Sequence, residues 1–185
     1  MLQTKIMRWI SAALLLASLL IGLSHIAGLP PFEGIDETAH YSYIEQIAKT
    51  GTLPRIGDKM RQDVQDVEGF FSSLSTTGPV VIGRPRYRNL FTADAEIIKR
   101  ARQAVKAPRD LPPTGEPGLW ENWEAQHPPF YYALLTPAYL LSERWSLAGQ
   151  LALLRGLSYF AAWLSLCLTV FVAAKTFRHL AADAR

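Results

Sequence analysis

Two long uncharged stretches constrain this chain more than any other feature. No Asp, Glu, Lys or Arg occurs from Trp9 to Phe32, and none occurs from Gly156 to Ala174. As a helix rising about 1.5 Å per residue, each stretch can cross a hydrocarbon layer about 30 Å thick. This distribution argues against an ordinary soluble domain. We therefore expect an all-α membrane protein with two full transmembrane helices, or three, and a long external loop that carries amphipathic juxtamembrane helices.

The uncharged stretches divide the chain into predicted segments. The first stretch could also be a secretory signal peptide, but it is long and lacks a convincing cleavage motif before Pro30, which favours an uncleaved span. Residues 128–142 are uncharged as well, which leaves a third span as an alternative. We predict a tail at 1–8, a transmembrane helix at 9–29, an external loop at 30–128, a juxtamembrane or partly inserted helix and connector at 129–155, a transmembrane helix at 156–176 and a tail at 177–185.

Charge predicts the orientation in the membrane. Outside residues 30–155 the chain carries five Lys and Arg against one Asp, whereas residues 30–155 carry fourteen Lys and Arg and fifteen Asp and Glu. The positive-inside rule places both tails in the cytoplasm and residues 30–128 outside, as in a bacterial inner membrane. The basic residues form no dominant patch, so we expect no nucleic-acid partner. The single cysteine, Cys167, excludes a disulfide within the chain.

A polar stretch from Pro30 to His40 follows the first uncharged stretch. The pattern predicts a helix over 37–50 with Asp36 as its N-cap and Gly51 at its end. The single apolar face of this helix suggests that it lies on the membrane surface. Within it, both Asp36 and Glu37 are spaced to stand beside His40. A carboxylate beside an imidazole can take a proton from a hydroxyl or hold a divalent cation, although Asp-Glu at a helix start is more often only a cap.

A second polar stretch, from Glu124 to Tyr132, precedes the next apolar segment. Its prolines could simply open a helix, and its aromatic residues could simply lie at a membrane interface. The functional interpretation makes His127, Tyr131 and Tyr132 donors to a phosphate or a sugar at the lipid–water boundary. We expect the fold to bring this stretch and the first polar stretch together.

The region between the two polar stretches gives weaker signals. We expect a loop or a frayed helix at 55–68, a loop at 69–83, a helix from Thr92 or Ala93 to Val105 and an extended segment at 108–117. Arg84 and Arg86, with Arg88, could balance the charge of a phosphate, although a solvated basic loop would have the same composition.

The order of motifs resembles that of a known enzyme family. After the first apolar stretch comes P-x-F-E-x-x-D-E-x-x-H-Y-x-Y-I, then G-x-L-P, a polar loop, H-P-P-x-Y-Y and an Arg-x-x-Ser element at Arg155. This pattern is similar to the N-terminal part of the C-superfold integral-membrane glycosyltransferases, and the match is concentrated at 30–54 and 124–178. Those enzymes use polyprenyl-phosphate-linked sugars and include protein O-mannosyltransferases and the aminoarabinose transferases that modify lipid A.

The resemblance implies roles for particular residues. Asp36 would be the catalytic carboxylate, acting as general base toward the acceptor hydroxyl or as ligand of a divalent cation in members that need one, with Glu37 as its companion. His127 and Pro128 would lie near the lipid phosphate, and His40 would support substrate binding. The implied partners are the lipid bilayer, a polyprenyl-phosphate sugar donor and a protein or glycan acceptor.

Chain length leaves a rival interpretation open. Members of this family have more spans, so the resemblance implies the N-terminal portion of a longer enzyme. The alternative is a membrane-anchored interaction module without catalysis, or a remnant of such an enzyme, in which Asp36 only caps a helix.

Overall fold

The computed structural model describes residues 2–32, 34, 36–62, 64, 95–108 and 116–183. The described part is mostly helical, as predicted, and the helix expected to end at Val105 is present as α3. The expected loop at 69–83 and Arg84, Arg86 and Arg88 lie outside the described residues. The elements are α1 (Leu2–Gly28), α2 (Glu37–Thr50), β1 (Lys59–Arg61), α3 (Ala95–Lys106), β2 (Pro117–Glu121), a 3-10 helix (Trp123–Gln126), α4 (Phe130–Ser142) and α5 (Leu147–Asp183).

The chain forms two compact units, residues 1–28 with 155–185 and residues 29–154. By length and composition, two of the described helices could cross a membrane, over Ile6–Gly28 and Leu147–Phe177. In the first unit the Trp163 indole donates to the Leu15 carbonyl at 3.1 Å, so α1 and α5 contact each other.

The last apolar helix is longer than the sequence suggested. We expected a connector up to residue 155, but α5 runs as one helix from Leu147. Its first turns are held in the second unit by the buried residues Leu147, Leu151 and Leu154. With 13 residues, α4 is shorter than the roughly 20 that a full span needs. The described helices therefore favour two spans over three.

Helix α2 forms the core of the second unit, which corrects the expectation that it lies on a surface. Two of its buried polar residues have buried partners: the Ser42 hydroxyl accepts from the Arg61 backbone N–H at 2.8 Å, and the Gln46 side-chain Oε1 accepts from the Arg61 guanidinium at 2.6 Å. A polar residue with such partners can be buried at little cost. The buried residues of α2 are Thr38, Ala39, Tyr41, Ser42, Tyr43, Ile44, Glu45 and Gln46.

A two-stranded antiparallel sheet departs from the all-α prediction. Strand β1 pairs with β2, with Lys59 opposite Glu121 and Arg61 opposite Pro117. The sequence did not reveal it, because a strand of three residues is too short to show alternation. Just before β1, the Asp58 carboxylate accepts from the Arg55 backbone N–H, and this hydrogen bond is the main reason that the pKa of Asp58 is lowered.

The sheet positions the start of the second polar stretch beside α2. The Asn122 backbone N–H donates to the Asp58 carbonyl at 2.8 Å, directly after β2. The Asn122 side chain donates to the Ala39 carbonyl at 3.2 Å. The 3-10 helix that follows is therefore fixed beside the first turns of α2.

Candidate functional site

Packing of α4 on α2 brings the two polar stretches together, as expected from the sequence. The contact centres on Tyr43 and Tyr132, whose rings stack with centroids 3.7 Å apart and an interplanar angle of 8°. Both side chains are buried. Because His40 lies one turn before Tyr43 on α2, this packing places His40 against the start of α4 and the 3-10 helix.

Glu124 lies at the centre of a cluster that we call the His–Glu–His cluster, formed by His40, Glu124 and His127. Its Oε2 is 3.4 Å from His40 Nδ1 and is in direct contact with His127 Nδ1. The Glu124 side chain is 6% exposed, against 37% for His40 and 48% for His127. The two imidazole rings are nearly parallel, with centroids 6.2 Å apart. The cluster is thus open on the histidine side and closed behind the carboxylate.

Asn122 holds the carboxylate of the cluster in place. It is the N-cap of the 3-10 helix, and its side-chain oxygen accepts from the Glu124 backbone N–H at 3.0 Å. Its amide group simultaneously donates to the Ala39 carbonyl. One buried side chain therefore fixes Glu124 relative to the α2 backbone next to His40.

The Tyr132 hydroxyl completes the closed side of the cluster. It lies 2.9 Å from His40 Nδ1 and 3.5 Å from Glu124 Oε2. Burial, and after it the negative charge of Glu124, raises the pKa of the Tyr132 phenol well above its ordinary value. The phenol therefore keeps its proton at neutral pH and acts as a hydrogen-bond donor to the cluster.

Asp36 occupies the N-cap position of α2, but its side chain makes no capping hydrogen bond, contrary to the prediction. Its backbone is in the left-handed region with φ 55°, a conformation that Asp tolerates better than most residues. Its Oδ1 instead accepts from the Trp123 indole N–H at 3.1 Å. Asp36 is therefore tied to the residue directly before Glu124, at the edge of the cluster.

Two further predicted site residues lie outside the His–Glu–His cluster. Glu37 opens α2 and is half-buried, and Tyr131 is 44% exposed with its ring edge against Tyr132. Among the described residues, the group that could hold a metal ion is the His–Glu–His cluster, whose ligand atoms all lie within 4.8 Å of one another. Asp36, where we expected a cation, is not part of this group.

Sequence reasoning gave no role to Glu124 or Asn122. The spacing of Glu124 and His127, three residues apart, was a usable signal. Their pairing with His40 depends on tertiary packing and had no local signal.

Comparisons with known proteins identify no family for this chain. No protein-family model matches it, and no curated protein or solved structure matches it with significance. The geometry of the site and the order of motifs along the chain are therefore the observations that bear on function.

Proposed function

We propose that this chain carries part of the catalytic site of a membrane glycosyltransferase, which moves a sugar from a polyprenyl-phosphate carrier to an acceptor hydroxyl. The observation that supports the proposal is the hydrogen bond between the Asp36 carboxylate and the indole of Trp123, the residue directly before the second polar stretch. A transferase of the kind that the motif order resembles needs its catalytic carboxylate close to the groups that bind the donor phosphate.

The chemistry assigns separate roles to the two parts of the site. Displacing a polyprenyl phosphate from the anomeric carbon needs a base for the acceptor hydroxyl and positive or donor groups at the departing phosphate. Asp36 is the base, since its carboxylate accepts from the Trp123 indole and is half-exposed, so an acceptor hydroxyl can reach it. The exposed imidazoles of His40 and His127 lie on the phosphate side, with Tyr131 at the rim.

The proposed location follows from the lipid carrier. A polyprenyl-phosphate donor stays in the bilayer, so the residues that bind its sugar must lie at the membrane surface. Asp36 follows the candidate span Ile6–Gly28 after a short connector. By the positive-inside rule, the proposal puts this connector on the external face of a bacterial inner membrane. The proposed acceptor is a protein or a glycan.

Photolabelling tests the proposal. The chain, reconstituted in liposomes, is irradiated with a polyprenyl phosphate that carries a diazirine on its first isoprene unit, and labelled peptides are mapped by mass spectrometry. We expect labels within 36–43 and 123–132, which excess unlabelled polyprenyl phosphate removes and neutral polyprenol does not. Labels confined to α1 and α5, with no dependence on the phosphate, would exclude this function.

A further inference from the structure

If the two imidazoles alone faced a phosphate, the buried carboxylate of Glu124 between them would be unfavourable. Its carboxylate is 6% exposed and lies between two histidine side chains. A buried carboxylate needs compensating charge, and left uncompensated it would repel the phosphate. We propose that His40, Glu124 and His127 bind a divalent transition-metal ion, with Zn²⁺ as the ion whose chemistry fits best.

The ligand types select the class of metal. Two imidazoles and one carboxylate suit Zn²⁺ and neighbouring transition metals, whereas Mg²⁺ and Ca²⁺ prefer sites made of oxygen atoms. Zinc sites with three protein ligands of this kind keep a fourth position open for water or substrate. The exposed side of the cluster, formed by the two histidines, provides that open position.

One edge of the cluster has the length that a tetrahedral ion requires, and a second reaches it if the His127 side chain moves. Metal–ligand bonds of about 2.0–2.1 Å place two ligand atoms of a tetrahedron about 3.3 Å apart. The 3.4 Å between His40 Nδ1 and Glu124 Oε2 is close to this value. His127 Nδ1 lies closer to Glu124 Oε2 than this distance. The His127 side chain is half-exposed and can move away from Glu124.

Neighbouring residues hold the ligands in place by hydrogen bonds, as they do around metal sites in other proteins. Such partners orient ligands and are needed for full affinity. Asn122 fixes the backbone of Glu124, and the Tyr132 hydroxyl lies beside both Glu124 and His40. On metal binding, His40 Nδ1 exchanges its hydrogen bond with Tyr132 for the ion, and the hydroxyl remains a donor to Glu124.

Metal binding by the cluster does not depend on the proposed function, but its use does. With one carboxylate and two neutral imidazoles, a divalent ion leaves the cluster with a net charge of about +1. On the glycosyltransferase hypothesis, this charge faces the phosphate of the donor, and the open position takes one of the phosphate oxygens.

Calorimetry on the untagged, chelator-treated chain in detergent tests the metal site. We expect about one Zn²⁺ per chain with a micromolar or lower Kd, and Co²⁺ should give the visible absorption of a tetrahedral site. Because loss of a residue that only orients a metal ligand already costs about 10–100-fold in affinity, His40→Ala, His127→Ala and Glu124→Gln should each weaken binding at least that much. His25→Ala is the matched control, since His25 lies in α1 and contacts the Ile21 carbonyl.

Equal Zn²⁺ affinity of the wild type and His127→Ala, or displacement of Zn²⁺ by equimolar Mg²⁺, would overturn the proposal. His127→Ala is the decisive variant because its half-exposed side chain can be removed without unfolding the chain, which circular dichroism checks. Photolabelling without Zn²⁺ binding would refute the metal site and leave the transferase hypothesis standing. Zn²⁺ binding without photolabelling would support the metal site and refute the transferase hypothesis.

Discussion

Tyr132→Ala is expected to lower the free energy of unfolding of this chain by about 3–5 kcal/mol, the usual cost of removing a buried aromatic ring. Tyr132 is 2% exposed and stacks on Tyr43 at 3.7 Å. Its loss would leave a cavity between α2 and α4 and would release His40 from the second polar stretch. Urea unfolding of the full chain in detergent, followed by near-ultraviolet circular dichroism, measures the change.

Two further variants separate the contributions of Tyr132. Tyr132→Phe keeps the ring and removes only the hydroxyl near His40, so we expect a loss of about 0.5–1.5 kcal/mol. Tyr131→Ala is the matched control, because Tyr131 is the neighbouring tyrosine and is 44% exposed. Similar losses for Tyr131→Ala and Tyr132→Ala would contradict the packing described here.

Asp36→Asn is expected to lower sugar transfer by about 10²–10⁴-fold, the usual contribution of a general base. The amide cannot accept the proton of the acceptor hydroxyl. It can still occupy the left-handed backbone conformation, which Asn also tolerates, and its oxygen can still accept from the Trp123 indole. The free energy of unfolding should therefore change by less than about 0.5 kcal/mol.

Release of polyprenyl phosphate from a labelled donor, in membranes that supply native acceptors, measures this loss. Glu121→Gln is the matched control, since it is the same kind of change at an exposed residue of β2. We expect it to keep the wild-type rate. An Asp36→Asn variant that releases polyprenyl phosphate as fast as Glu121→Gln would remove Asp36 from the mechanism and favour the non-catalytic interaction module.

The sequence predicted the bounds of α2 because local chemistry sets them. Gly51 ends the helix with φ 67°, a left-handed conformation that glycine adopts without strain. Which faces of α2 are buried was not predictable in the same way. Ser42 and Gln46 are buried against β1, where Arg61 donates hydrogen bonds to both, and nothing near them in the sequence predicts that strand.

The sequence predicted which two stretches form the site, but it did not predict the carboxylate at the centre of the His–Glu–His cluster. The two polar stretches could be recognised by their residue types, and we expected the fold to bring them together. The position of Glu124 depends on Asn122 and on the sheet that delivers it. Those contacts join residues 39, 58 and 122, far apart in the chain, so no local pattern could have predicted that the carboxylate lies between two histidines.

A double-mutant cycle between His40 and Tyr132 tests most directly the central claim that the two polar stretches form one site. His40→Ala, Tyr132→Phe and the double variant are unfolded in urea in the presence of chelator, so that no metal contributes. A hydrogen bond at 2.9 Å predicts a coupling energy of about 0.5–1.5 kcal/mol. A coupling energy within error of zero would mean that the two stretches do not meet at these residues, and the site described here would be wrong.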